Sequence, residues 1–212
     1  LPEQAWINPF QIYFGHVEEI YCTDFETDDA GFTHELVAGQ EQEGADDWMW
    51  GKPMGFGGDP DYAASGEYVW GNDLGGEING SQYNGEYQND KHNRLTMPAV
   101  DVSGYDQVVL SFDRWLNVED GHYDQANVLA NGEVVWSNHS TNQNNGVEHH
   151  RDRQWVPQTV LVETNETMDM SFGWEIISDR GLSMGGWTID NVCVYGVVEP
   201  ELDADDVDGP KS

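Results

Sequence analysis

The chain has 212 residues, enough for one large domain and not requiring a second. Its 40 Asp and Glu against 8 Lys and Arg give a formal charge of −32. That balance excludes nucleic acid as a partner and adsorption to a bare anionic membrane, because both need clustered cations. Nine Trp, nine Tyr and seven Phe demand burial, so the acidity belongs to a folded chain and not a disordered one.

No apolar run reaches the roughly 18 residues of a membrane helix, so no membrane insertion is expected. The chain opens on Leu1-Pro2-Glu3 without Met, as a processed chain does. Two causes of the acidity stay open: carboxylates that hold cations, and a surface suited to salty, halophilic surroundings.

In chain order, residues 1–17 read as an irregular arm. Apolar alternation then bounds one domain, residues 18–196, and residues 197–212, dominated by Glu, Asp, Pro and Gly, read as an acidic linker or tail. Within the domain the period is two. Val108, Leu110, Phe112 and Leu116 share one strand face, opposite Ser111 and Asp113; Met168, Met170, Phe172, Trp174 and Ile176 alternate with polar residues and Gly173. Further strands are predicted over 20–26, 67–71, 94–98, 126–130, 133–136, 156–162 and 186–195. Ala130-Asn131-Gly132-Glu133 is a hairpin signal. About nine strands with almost no helix imply an all-β fold: a two-sheet antiparallel β-sandwich, a jelly roll.

The most informative motifs lie at the two ends. Cys22-Thr23-Asp24-Phe25-Glu26 is followed by Asp46-Asp47-Trp48-Met49-Trp50-Gly51, then Ser65-Gly66 and Trp70-Gly71. Leu95-Thr96-Met97-Pro98 and Leu110-Ser111-Phe112 come next, and Gly186-Trp187-Thr188-Ile189-Asp190-Asn191-Val192 closes the series. In this order the motifs resemble the jelly-roll accessory modules of secreted bacterial metallopeptidases of the immune inhibitor A type, and more distantly the extracellular MAM domains. The resemblance covers roughly residues 20–196; long Asn- and Gly-rich insertions at 76–93 and 138–153 depart from it.

The resemblance implies calcium between the first and last strands. Glu26 and Asp190 are the expected ligands, with Asp24 beside them and Asp46 or Asp47 approaching from the following loop. Calcium takes six to eight oxygens, so converging carboxylates suit it; the competing reading is that these acids merely solvate loop ends. Cys22 and Cys193 lie on the same two strands and would meet as a disulfide in antiparallel register, the alternative being two buried thiols. In that register a strict pleat turns Asp190 away from Glu26, so a bulge, a register shift or a carbonyl ligand must intervene.

Other candidates carry less. The segment His149-His150-Arg151-Asp152-Arg153 lacks zinc-ligand spacing and reads as a loop held by ion pairs. Trp115, Trp136, Trp174 and Trp187 are expected in the core; Trp48, Trp50, Trp70 and Trp155 lie nearer strand ends, where a ring could stack on a sugar. The expected function is recognition of a glycan or protein ligand by a secreted or cell-surface module, joined to other domains of a larger chain. A glycan lyase or hydrolase on the same scaffold and a passive spacer are the alternatives.

Overall fold

The computed structural model describes residues 16–78 and 81–198. Its strands are β1 (His16–Thr23), β2 (Thr33–Gly39), β3 (Trp48–Gly51), β4 (Val69–Asn72), β5 (Gly76–Ile78), β6 (Ser81–Tyr83), β7 (Lys91–Thr96) and β8 (Val100–Asp101). They continue as β9 (Gln107–Val118), β10 (Gln125–Ala130), β11 (Glu133–Ser137), β12 (His150–Arg151), β13 (Val156–Glu163), β14 (Asp169–Met170), β15 (Phe172–Ile177) and β16 (Gly186–Val198). Regular structure thus reaches two residues beyond both expected edges of the domain; the rest of the expected arm and tail lies outside the described residues.

The fold is a two-sheet antiparallel β-sandwich of jelly-roll type. One sheet runs β12-β9-β16-β4-β3, with β13 also on β9 and β1 also on β16; the other runs β11-β10-β15-β7-β2. Between them lie the alternating side chains of the long strands: Leu110, Phe112 and Leu116 of β9, Phe172, Trp174 and Ile176 of β15, and Trp187 and Ile189 of β16. Phe112 meets Trp174 edge-on at 5.4 Å, the arrangement that ring quadrupoles favour. Met168 departs from the expected alternation: it precedes β14 and is exposed, while Met170 is buried.

In β16 the inward positions change parity, from Trp187 and Ile189 to Val192 and Val194. A bulge between Asp190 and Cys193, with Asn191 at φ 50°, makes the change. One extra residue reverses which face each side chain meets, so both halves of the strand present apolar residues to the core. β1 pairs with the second half of β16, Cys22 opposite Cys193, and the two are disulfide-bonded.

A smaller apolar cluster, Ala63, Val69 and Leu74 with Met49 and Trp155 against it, is separate from the main core. The neighbouring loop is fastened to β9: Trp115 Nε1 and Asn117 Nδ2 both donate to the Gly58 carbonyl, at 3.0 and 2.7 Å. Gly55 N donates to Pro60 O at 2.9 Å, closing the loop on itself.

Candidate functional site

The expected metal ligands fall into two groups. Glu26 and Asp190 face one turn, residues 64–68. Asp190 Oδ2 accepts from Ser65 N at 2.9 Å, and Glu26 Oε1 accepts from Glu67 N and Tyr68 N at 2.8 and 2.7 Å. The approach is close enough that a Cβ on Gly66 would lie 2.1 Å from the Glu26 carboxyl carbon. Asp24 Oδ1 accepts from Glu26 N at 3.3 Å. Burial pushes the Asp190 carboxyl up to about 6, against backbone donors and with help from Asp113. Carboxylate oxygens of this kind suit calcium and retain acceptor positions beside these amides.

Asp46 and Asp47 have other partners. Asp46 pairs with His34 Nδ1 at 2.9 Å. Asp47 is buried, accepting from Asn72 Nδ2 at 2.9 Å and Gln88 N at 2.8 Å. Burial pushes its carboxyl up to about 7, with Asp46 and Asp73 adding to the effect.

Among the described residues another acidic set is closer-knit, and the sequence reading missed it. Glu119 follows β9, Asp124 precedes β10 and Asp179 follows β15; one oxygen from each lies within 4.8 Å of the others. Asp124 is buried, accepting from Tyr87 Oη at 2.5 Å and Asp179 N at 2.7 Å. Glu119 Oε2 is buried without a hydrogen-bond partner. Burial raises both carboxyls, and Asp179 adds repulsion. An all-oxygen set without His or Cys matches a hard divalent cation. No local spacing could reveal it, because three separate strand ends supply the ligands.

The tryptophans separate cleanly. Trp48 and Trp70, candidates for sugar stacking, belong instead to the main core, because the face of β3 and β4 that carries them is the inner one. Trp155 is half-buried, stands edge-on to Trp115 at 6.0 Å, and donates from Nε1 to Tyr62 O at 3.0 Å; it holds a loop in place. Trp50 is 36% exposed, with Nε1 donating to Phe25 O and its ring stacked 5.0 Å from Tyr68. Lys52 covers the Tyr68 ring and pairs with Glu67 at 2.7 Å. Two further exposed rings escaped the sequence reading, Phe56 at 47% and Tyr62 at 54%. Among the residues whose side chains are described, the exposed Trp, Tyr and Phe rings therefore fall within residues 50–62.

Two polar clusters bear on the alternative chemistries. Glu175, on the face of β15 opposite Trp174, accepts from His92, Arg94 and Asn127 at 2.7, 2.9 and 3.0 Å. Despite burial, these partners hold its carboxyl below the ordinary value, so it is an anion at neutral pH and not a proton donor. In the His149–Arg153 segment the expected ion pairs are present: Asp152 meets Arg114 at 2.9 Å and His150 at 3.1 Å.

No protein-family model matches the chain. Bacillopeptidase F of Bacillus subtilis (strain 168) is 28% identical over 173 residues, which is 81% of this chain and 10% of that protein. Among solved structures, the K1 cleaved adhesin domain of Lys-gingipain from Porphyromonas gingivalis W83 superposes with a TM-score of 0.49 at 14% identity, covering 85% of this chain and 98% of that one. The CBM22-1 xylan-binding domain of Paenibacillus barcinonensis Xyn10C gives a TM-score of 0.44 at 13% identity, covering 88% and 97%. The chain thus resembles an accessory module of a bacterial peptidase, matching a tenth of such a protein's length, as its ordered motifs implied.

Proposed function

We propose that the chain is a recognition module of a larger extracellular protein, binding a glycan or a protein surface on a calcium-stabilised scaffold. One observation carries the reading: the exposed Trp, Tyr and Phe rings cluster in residues 50–62, a segment held by hydrogen bonds to Phe25, from β9 at Gly58 and from Trp155 at Tyr62. Rings held in place lose little freedom when a ligand covers them, and aromatic residues dominate binding energies at interfaces. Trp50 stacked beside Tyr68, with Lys52 and Glu67 adjacent, offers a sugar both an apolar face and hydrogen-bonding neighbours. Met54, 52% exposed beside Phe56, has no polar edge and favours the protein-surface reading.

Glu119, Asp124 and Asp179 are the best-formed seat for calcium, with Glu26 and Asp190 offering a second; bound there, calcium supplies cross-links between strand ends. The Cys22–Cys193 disulfide fits an oxidising, extracellular compartment.

The reading is tested by screening the purified chain against arrayed glycans and extracellular proteins, then repeating with Trp50→Ala and Tyr62→Ala. At least one of the two variants should lose about 2 kcal/mol of binding, some thirtyfold, with an unchanged melting temperature. Affinity unchanged from the unmodified chain in both variants would reject the segment as the binding surface. Turnover of any ligand would make the chain an enzyme.

A further inference from the structure

Beneath the ring-bearing loop lies a junction built for backbone contact. Residues 57–59, 72–76, 84–86 and 185–186 converge there, and a Cβ on Gly57 would lie 1.8 Å from the Gly85 carbonyl oxygen. Asp59 enters this junction. It is 7% exposed, and both of its carboxylate oxygens are buried without a hydrogen-bond partner. Oδ1 lies so close to Gly185 that a Cβ there would sit 2.0 Å from it, so no side chain intervenes.

An ionised carboxylate buried without donors is strongly unfavourable. Asp73, itself buried, worsens it by repulsion. Burial raises the Asp73 carboxyl as well, although the amides of Gly75, Gly85, Asn84 and Glu86 act against it. Lys52, Arg114 and Arg94 pair with other acids: Glu67, Asp152 and Glu175. Neither Asp59 nor Asp73 takes part in an ion pair among the described residues. A proton would cancel the charge on Asp59 yet leave at least one oxygen without a donor. A metal ion takes both oxygens at once.

We infer that Asp59 and Asp73 hold a hard divalent cation, calcium by donor chemistry, at a site separate from the Glu119–Asp124–Asp179 set. The two carboxylates are hard oxygen donors, which favour calcium over zinc and copper. The site has a consequence for binding that rests on the recognition reading above. Asp59 lies between Phe56 and Tyr62 in sequence, and its backbone N–H donates to Phe56 O at 2.8 Å. A cation drawing Asp59 toward Asp73 therefore fixes the loop that presents these rings, and makes recognition calcium-dependent.

Crystals of the unmodified chain soaked in terbium, a calcium substitute with strong anomalous scattering, locate the ion directly. An anomalous peak at about 2.5 Å from the Asp59 oxygens is expected. A soak that fills the Glu119 set, or nothing, and leaves Asp59 bare overturns the inference. Calorimetric titration of Asp59→Asn with calcium should show one equivalent fewer than the unmodified chain; an unchanged stoichiometry also overturns it. Should that variant fail to fold, the soak decides alone. The soak is blind to what the loop binds, so failure of the recognition reading leaves its result untouched.

Discussion

Asp47 and Asp190 make stability depend on pH in an unusual direction. Burial raises their carboxyls to about 7 and about 6, while an unfolded carboxyl titrates near 4. Between those values the folded state holds more protons than the unfolded one, so stability falls as pH rises from about 4 to about 7. Asp152 and Glu175 act oppositely. Burial notwithstanding, His150 and Arg114 hold Asp152 down, and His92, Asn127 and Arg94 hold Glu175 down, so their contribution is lost as pH falls below about 4. In chelator the melting temperature should peak near pH 5 and be lower at pH 7.5, as scanning calorimetry can show. A steady rise across that interval would mean that Asp47 and Asp190 are ionised in the folded state at acid pH. Asp47 was legible in the sequence as an acid beside a tryptophan. Its burial was not, because that depends on Asn72 and Gln88 closing over it from distant segments.

The strands show where local pattern suffices. Leu110, Phe112 and Leu116 reveal β9 without help, and Asn131-Gly132, with φ of 47° and 86°, forms the hairpin turn their residue types announce. β2 went unseen because Thr33–Gly39 is an exposed edge with only Leu36 half-buried, so alternation is absent. β3 was read as a motif, and Trp48 with it, since four residues are too few to show a period. The insertion at 138–153 is ordered by Asp120, whose carboxylate takes the amides of Thr141 and Glu148. Nothing local marks that role. The parity change at Asn191 matters most for the element that closes the sheet, because β1 docks on the half of β16 beyond it. The disulfide fixes that docking across a sequence separation of 171. Replacing Cys22 and Cys193 by Ser should lower stability by about 4 kcal/mol in the chain-entropy account, measured by denaturant unfolding. A loss below about 1 kcal/mol would show that β1 docks as well without the bridge.

At the scale of the whole molecule, 32 net negative charges oppose compaction, and both bound cations and screening relieve them. Melting temperature should fall on exhaustive chelation, since a ligand of the native state stabilises it by about 2.7 kcal/mol at a hundred times its dissociation constant. With calcium saturating, added salt should raise it again; a melting curve indifferent to both would remove the scaffold role of cations. The sandwich itself was legible from alternation and turn residues. The proposed recognition surface was legible only in Trp50, because Phe56 and Tyr62 owe their exposure to a loop whose anchor, Gly58, is held by β9. The most direct test of the recognition account is a footprint: oxidative labelling of the chain with and without a ligand found by array screening. Protection is predicted at Trp50, Phe56 and Tyr62. Protection confined to the Glu175 face of the five-stranded sheet, with these three rings labelled equally in both states, would contradict it.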